Sequence, residues 1–422
     1  MPPSADGARR QTNMEQVFER CAGLDVHKAT VSACVRVPRA GGRRHQEIRT
    51  FGTSTNDLLT MRDWLAGYAV THIAMEATGV YWKPIYYVLE EGFTLLLVNA
   101  AHVKQVPGRK SDVADCAWLA QLLEHGLLRA SFVLPRPIRE LRDLTRLRKS
   151  LIQDRTRAAN RLHKVLQDAG LKLSSVAANV LGVSGRAMLS ALMGGNSDPN
   201  QLAELARGRM RNKMPALRQA LTGRFRSHHA FLLGQVIAHV DYLDESIIDV
   251  SKRIEELLVA FAATLERLVT IPGVKRRTAE VIIAETGADM SRFASAQHLS
   301  SWAGICPGSD ESAGKRRSGR SRQGNRWLRA ALIESANPAG HTKATALAAR
   351  YRRIRARRGH NRAIVAVGRS ILEISYYVMS RATTYLEVGT NYLDQRHAER
   401  LKRRSLSQLQ RLGYQVTLVT AA

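Results

Sequence analysis

Residues 22–37, "AGLDVHKATVSACVRV", decide how the first third of the chain is read. The stretch is rich in Val, Thr and Ala and reads as a strand, and "HQEIRTFGT" (45–53) follows as its antiparallel partner. Asp25 lies inside this strand, where an apolar run has no packing reason for a carboxylate. Working outward, "NDLLTMRDWLAGY" (56–68) has helical spacing and "THIAMEA" (71–77) is a short buried strand. "YWKPIYYVLEEG" (81–92) is a helix and "FTLLLVNA" (93–100) another buried strand. "SDVADCAWLAQLLEHG" (111–126) completes the series as a helix, with Ser111 as its N-cap and Gly126 as its stop. A hairpin followed by β-α-β-α predicts a mixed sheet with helices on its faces.

The rest of the chain reads as helix. Leu141, Leu144, Leu147 and Leu151 form one stripe, with Arg139, Arg142, Arg146 and Arg148 around it. Leu233, Val236, Val240, Leu243, Ile247, Val250, Ile254, Leu257 and Phe261 alternate by three and four, a coiled-coil seam. Such a seam packs either on the protein's own helices or on a second subunit. Residues 170–225, rich in Gly, Ala and Arg, give no assignable pattern. "LVTIPGVKRRTAEVIIAETG" (268–287) reads as helix, Pro-Gly turn, helix: a helix-hairpin-helix pattern, whose turn meets a phosphate at a helix N-terminus. Lys275, Arg276 and Arg277 follow that turn. The expected organisation is a flexible lead-in over 1–19, an α/β domain over 20–135 and a helical, coiled-coil linker over 136–267. A mostly helical domain over 268–390 and a basic tail over 391–422 complete it.

Lys and Arg number 64 against 36 acids, a formal charge of +28, and this points to a nucleic-acid partner. No apolar run approaches the ~20 residues that a membrane span needs, and the N-terminus has no secretory core. Cys21, Cys34, Cys116 and Cys306 stand singly, which disfavours a zinc ribbon or a disulfide framework and suits a reducing cytoplasm.

Glu76 closes the apolar strand at 71–77 as Asp25 interrupts the first one. Asp112 and Asp115 stand three apart at the start of a predicted helix and so share a face. Alone, the last two more often read as first-turn acids opposing the helix dipole. Together, four convergent carboxylates repel one another unless a cation compensates, and they suit Mg²⁺. In "PGSDESAGKRRSGRSRQGNRWLR" (307–329), Ser309, Ser312, Ser318 and Ser321 sit among Lys315, Arg316, Arg317, Arg320, Arg322, Arg326 and Arg329. Guanidinium groups grip phosphate oxygens, so this loop suits a serine attacking a phosphate. Spacing alone does not say which serine.

"GLDVHK", "AMEATGVYW", "VPGRKSDVADCAWLAQLLEHGLL" and "ESAGKRRSGRSRQGNRWLRAAL" resemble, in order, the signature blocks of the bacterial transposase family numbered one hundred and ten among insertion sequences. The resemblance implies an RNase H/RuvC-like DEDD domain whose metal-binding acids fall on Asp25, Glu76, Asp112 and Asp115. The cofactor it implies is Mg²⁺, with Mn²⁺ as substitute. It also implies a C-terminal transposase domain whose nucleophile is Ser312, in a Ser-small-Gly-Lys element where Ala313 replaces the more usual glycine. The implied partners are DNA, a structured noncoding RNA and further copies of the chain, as a dimer or tetramer, with acids and serine meeting from different subunits. A water-using junction resolvase and a non-catalytic scaffold are the alternative readings.

Overall fold

A computed structural model describes residues 16–39, 44–77, 79–103, 114–308, 310–312, 315–318, 321 and 323–417. The chain divides into two compact units, residues 1–133 and 134–422.

The first unit is built on a five-stranded mixed sheet. Strands β1 (Cys21–Val26), β2 (Thr30–Pro38) and β3 (Arg44–Gly52) form an antiparallel meander. β4 (His72–Glu76) and β5 (Thr94–Val98) add in parallel to the other edge of β1, giving the order β3-β2-β1-β4-β5. The opening stretch is therefore two strands rather than one. The exposed His27, Lys28 and Ala29 make the turn, and the His27 N–H donates to the Thr30 carbonyl at 3.0 Å.

Strand alternation sends the side chains to two different layers. Ala22, Leu24, Val26, Val31, Ala33 and Val35 face helices α1 (Thr55–Gly67) and α2 (Trp82–Leu89), which contribute Leu58, Met61, Leu65, Ile85 and Leu89. The short α3 (Ala100–Val103) follows β5. Cys21, Cys34 and Ala74 face the opposite way, against α4 (Asp115–Glu124). This helix begins three residues later than Ser111 as N-cap would place it, because Ala114 is extended at ψ 140°. It stops as expected, at Gly126 with φ +64°.

In the second unit, α5 (Arg136–Asp168) runs antiparallel to α10 (Ser227–Leu258), as the pairs Asp168–His229 and Arg155–Asp244 show. The seam predicted over 233–261 packs along α5 of the same chain, with Leu233, Val240, Leu243, Ile247 and Ile254 buried. The α5 stripe is displaced from the predicted one: Leu147 is 48% exposed, while Thr145 and Arg148 are buried. The reason is the partner, since α5 also packs on α12 (Arg276–Thr286), whose buried Glu280 takes the Arg148 guanidinium. Residues 170–225, unassigned from sequence, form α6 (Leu173–Val176), α7 (Val183–Met193), α8 (Pro199–Glu204) and α9 (Met214–Ala220). They close a separate core with Leu162 and Leu166 of α5 and Leu233 of α10.

Helix α11 (Ala262–Val269) joins α12 through a turn at Gly273, whose φ is +83°. After α13 (Ala296–Trp302) comes a hairpin, β6 (Asp310–Ser312) and β7 (Lys315–Ser318), then α14 (Arg326–His341), α15 (Ala346–Arg358) and α16 (His360–Ser380). Among the described residues α16 is the one helix long and apolar enough to cross a membrane; it packs instead against α13, α14 and α15 as a core helix. The basic helix α17 (Tyr392–Arg411) follows.

Candidate active site

Three of the four predicted acids lie on the α4 side of the sheet, towards one end. Asp25 shares its strand face with Cys21 and Gly23, and Glu76 shares its own with Ala74. β1 and β4 are parallel, with Leu24 opposite Met75, so Asp25 and Glu76 occupy adjacent register positions at their carboxyl ends. α4 runs antiparallel to β1: the Cys21 thiol donates to the Ala120 carbonyl, whereas Gly23 lies under Cys116. The start of α4, and with it Asp115, therefore lies at the Asp25 end. Burial pushes the Cys116 thiol above its ordinary value, and the charges of Asp25 and Asp115 push it further, so both carboxylates are within electrostatic reach of one sulfur. Asp112 lies outside the described residues.

A close approach makes this geometry. A Cβ on Gly23 would stand 2.2 Å from the Cys116 carbonyl oxygen and 2.4 Å from the Ala120 nitrogen, so only glycine lets α4 lie this close to β1. The far end of α4 is pinned by Glu124, whose buried carboxylate takes Arg36 Nε at 2.6 Å and lies in an ion pair with Arg44 Nε at 2.7 Å. Asp25 accepts from or pairs with His27 Nε2 at 3.1 Å, and a quarter of its side chain reaches solvent. An all-carboxylate donor set suits a hard divalent cation. It does not form a finished cage: among the described residues, no three of His, Cys, Asp and Glu meet closely enough to hold an ion.

The serine-rich stretch, expected as a loop, contains a β-hairpin. Ser312 pairs with Lys315 and Glu311 with Arg316, which puts Ser312 beside the two-residue connection at 313–314. The stem closes at a bridge between Pro307 and Ser321. Gly324 then packs onto Gly304, where a Cβ would stand 2.4 Å from the Gly304 nitrogen. Asn325 caps α14, accepting from the Trp327 and Leu328 N–H groups, and its amide donates to Glu285 at 2.6 Å. That carboxylate is wholly buried and also receives Arg146, at 2.7 and 2.8 Å, and Arg142. The foot of the hairpin is thus tied to α5 through one acid.

The predicted phosphate-binding cations have different surroundings. Lys275 precedes α12 and is exposed, but Arg276 is engaged by Glu255 and Glu280. Arg277 is exposed and has no ion-pair partner among the described residues. Lys315, Arg316 and Arg317 lie on β7, Arg326 lies 4.8 Å over the Trp327 ring, and Arg329 donates to Ser321 Oγ. Arg320 and Arg322 lie outside the described residues. The Glu280 and Glu285 ion pairs were missed from sequence, although acids within the apolar run "AEVIIAE" carry the same signal as Asp25.

Two family profiles match this chain. The profile of the DEDD transposase of the IS110 type, described as a transposase, spans residues 22–170, which include Asp25, Glu76 and Asp115. The profile described as the transposase IS116/IS110/IS902 family spans residues 265–352, which include the serine hairpin. Together they cover more than half of the chain. The transposase for insertion sequence element IS1111A of Coxiella burnetii (strain RSA 493 / Nine Mile phase I) is 26% identical over 330 residues, 76% of this chain and 81% of that relative.

Proposed function

Since the chain belongs to the IS110 family of transposases, a family of DNA-processing enzymes, we propose that it excises and inserts its element through a phosphoserine intermediate. The observation that carries this reading is the pairing of two sites in one chain: acids gathered at one end of a sheet, and a serine beside a Lys at the tip of an arginine-rich hairpin.

Asp25, Glu76, Asp112 and Asp115 would hold Mg²⁺, or Mn²⁺ in its place, which when bound adds positive charge against a scissile phosphate. Ser312 Oγ attacks the phosphorus. The Oγ–P bond forms, the bond to the leaving 3′-oxygen breaks, and that oxygen takes up a proton as a free 3′-hydroxyl. Lys315 and the neighbouring arginines offset the charge on the pentavalent phosphorane. A 3′-hydroxyl on another strand later attacks the phosphoserine, and the proton returns to Ser312. One phosphodiester replaces another, so exchange needs no outside energy source. The DNA partner follows from the family. Guidance by a transcript of the element, and acids and serine contributed by different copies in a dimer or tetramer, complete the reading.

The test is metal-dependent strand cleavage of labelled element-junction DNA supplied with the flanking transcript. Cleavage is expected with Mg²⁺ or Mn²⁺, to vanish with chelator, and to fall at least 100-fold in Asp25→Asn while DNA binding persists. Cleavage by Asp25→Asn at the wild-type rate overturns the role of the acids.

A further inference from the structure

Helices α5, α12 and α14 enclose a cleft that the proposed chemistry does not use. Its walls are Arg146 and Lys149 from α5, Arg277 and Val281 from α12, and Trp327 and Ala331 from α14. Its volume is about 180 Å³, below the ~300–1,000 Å³ of sites for drug-sized ligands, so it suits one planar ring rather than a larger molecule. Trp327 also walls a wider, more open cleft of about 410 Å³ shared with Arg326 and Gly324. The indole is therefore a partition, partly buried, between two recesses. Arg326, 4.8 Å from the ring centroid, lines only the open recess, whereas Arg146, 5.9 Å from it, lines both, so a base in the inner cleft meets the indole beside that guanidinium.

The charge around the inner cleft is unbalanced. Arg146, Arg148, Lys149 and Arg277 face Glu285 and Glu334. Arg146 is held by Glu285, Arg148 by Glu280 and Lys149 by Glu334, which fixes the walls. Arg277, exposed and without an ion-pair partner among the described residues, remains for an incoming anion. An aromatic side chain, a small cleft and an exposed guanidinium without an ion-pair partner among the described residues fit a base with its phosphate attached. The cleft also lies at the foot of the serine hairpin, since Trp327 follows the Ser321 bridge by six residues and its N–H is capped by Asn325.

We propose that this cleft receives a single unpaired nucleotide, its base against Trp327 and its phosphate on Arg277. Strand exchange opens base pairs beside the cut, and a slot of this kind keeps an opened base from re-pairing. This inference rests on the reading of the chain as a nucleic-acid enzyme and not on Ser312, so it is tested by binding alone.

The probes are a fluorescein-labelled oligothymidine and a labelled duplex of equal length, titrated at one fixed salt concentration. Trp327→Ala is expected to weaken oligothymidine binding by roughly 5- to 150-fold, the usual range for loss of one base–aromatic stack, with duplex affinity changed less than twofold. Trp327→Phe should retain most of the affinity. Ala331→Leu, which fills the cleft and leaves Trp327 and every cation in place, should reproduce the loss even where Trp327→Ala disturbs folding. Equal weakening of both probes, or full single-strand affinity in Ala331→Leu, overturns the proposal. A wild-type protein that binds neither probe overturns the nucleic-acid reading beneath it.

Discussion

Gly23 shows how much of the candidate site depends on one hydrogen atom standing where a methyl would be. A Cβ there meets backbone atoms of Cys116 and Ala120, which cannot rotate away. Gly23→Ala is therefore expected to cost about 1–3 kcal/mol, the range for an overpacked core, as read by denaturant unfolding, and to lift Asp115 away from Asp25. Gly67 makes the contrast: it ends α1 with nothing within 4 Å of its built Cβ, so Gly67→Ala should be neutral or slightly stabilising. Equal midpoints for wild type and Gly23→Ala would contradict the close approach. At this scale Asp25 and Glu76 were legible, because a carboxylate closing an apolar strand announces itself. Gly23 was not, because its contact lies some ninety residues away and a glycine in a strand looks only like a weak strand former.

Among elements, α5 decides how the second unit is built. Its helical state and the seam on α10 could be read from apolar spacing, but its length, its pairing with α10 and its inward face could not. The leucine stripe predicts Leu147 inside, whereas the fold buries Arg148 and Thr145 because α12 presents carboxylates there. Periodicity counts apolar residues and is blind to a buried ion pair. The serine hairpin escaped for a related reason: Gly, Ser and Arg have little strand preference, and pairing across a two-residue connection, not propensity, makes β6 and β7. Glu285 joins these two elements, holding Arg142 and Arg146 of α5 and the Asn325 cap of α14. Glu285→Ala leaves two cations facing a dry gap and is expected to cost about 3–5 kcal/mol, nearer the lower end because Arg146 is 34% exposed. Glu285→Gln, which keeps an acceptor, should cost less. A denaturation curve for Glu285→Ala superimposed on that of wild type would show that this acid does not hold the two elements together.

For the whole molecule, the excess of 64 basic over 36 acidic residues leaves many cations outside the internal ion pairs. Glu124, Glu280 and Glu285 are buried and spent on internal arginines, while Arg352, Arg355, Arg357, Arg358 and Arg362 are exposed around the α15–α16 junction. Net charge therefore signalled the nucleic-acid partner well, and the contiguous motif blocks signalled the family. Composition said nothing of the division of labour, in which acids and serine belong to separate compact units, residues 1–133 and 134–422. In the proposed mechanism, one unit would supply the carboxylates and the other the nucleophile. The most direct measurement is a denaturing gel of labelled junction DNA incubated with protein, transcript and Mg²⁺, followed by peptide mapping of any shifted band. A protein–DNA adduct mapped to Ser312 is expected in wild type and is expected to be absent from both Ser312→Ala and Asp25→Asn. Cleavage that leaves no adduct and persists in Ser312→Ala would contradict that mechanism and reduce the hairpin to a phosphate clamp beside a water-using nuclease.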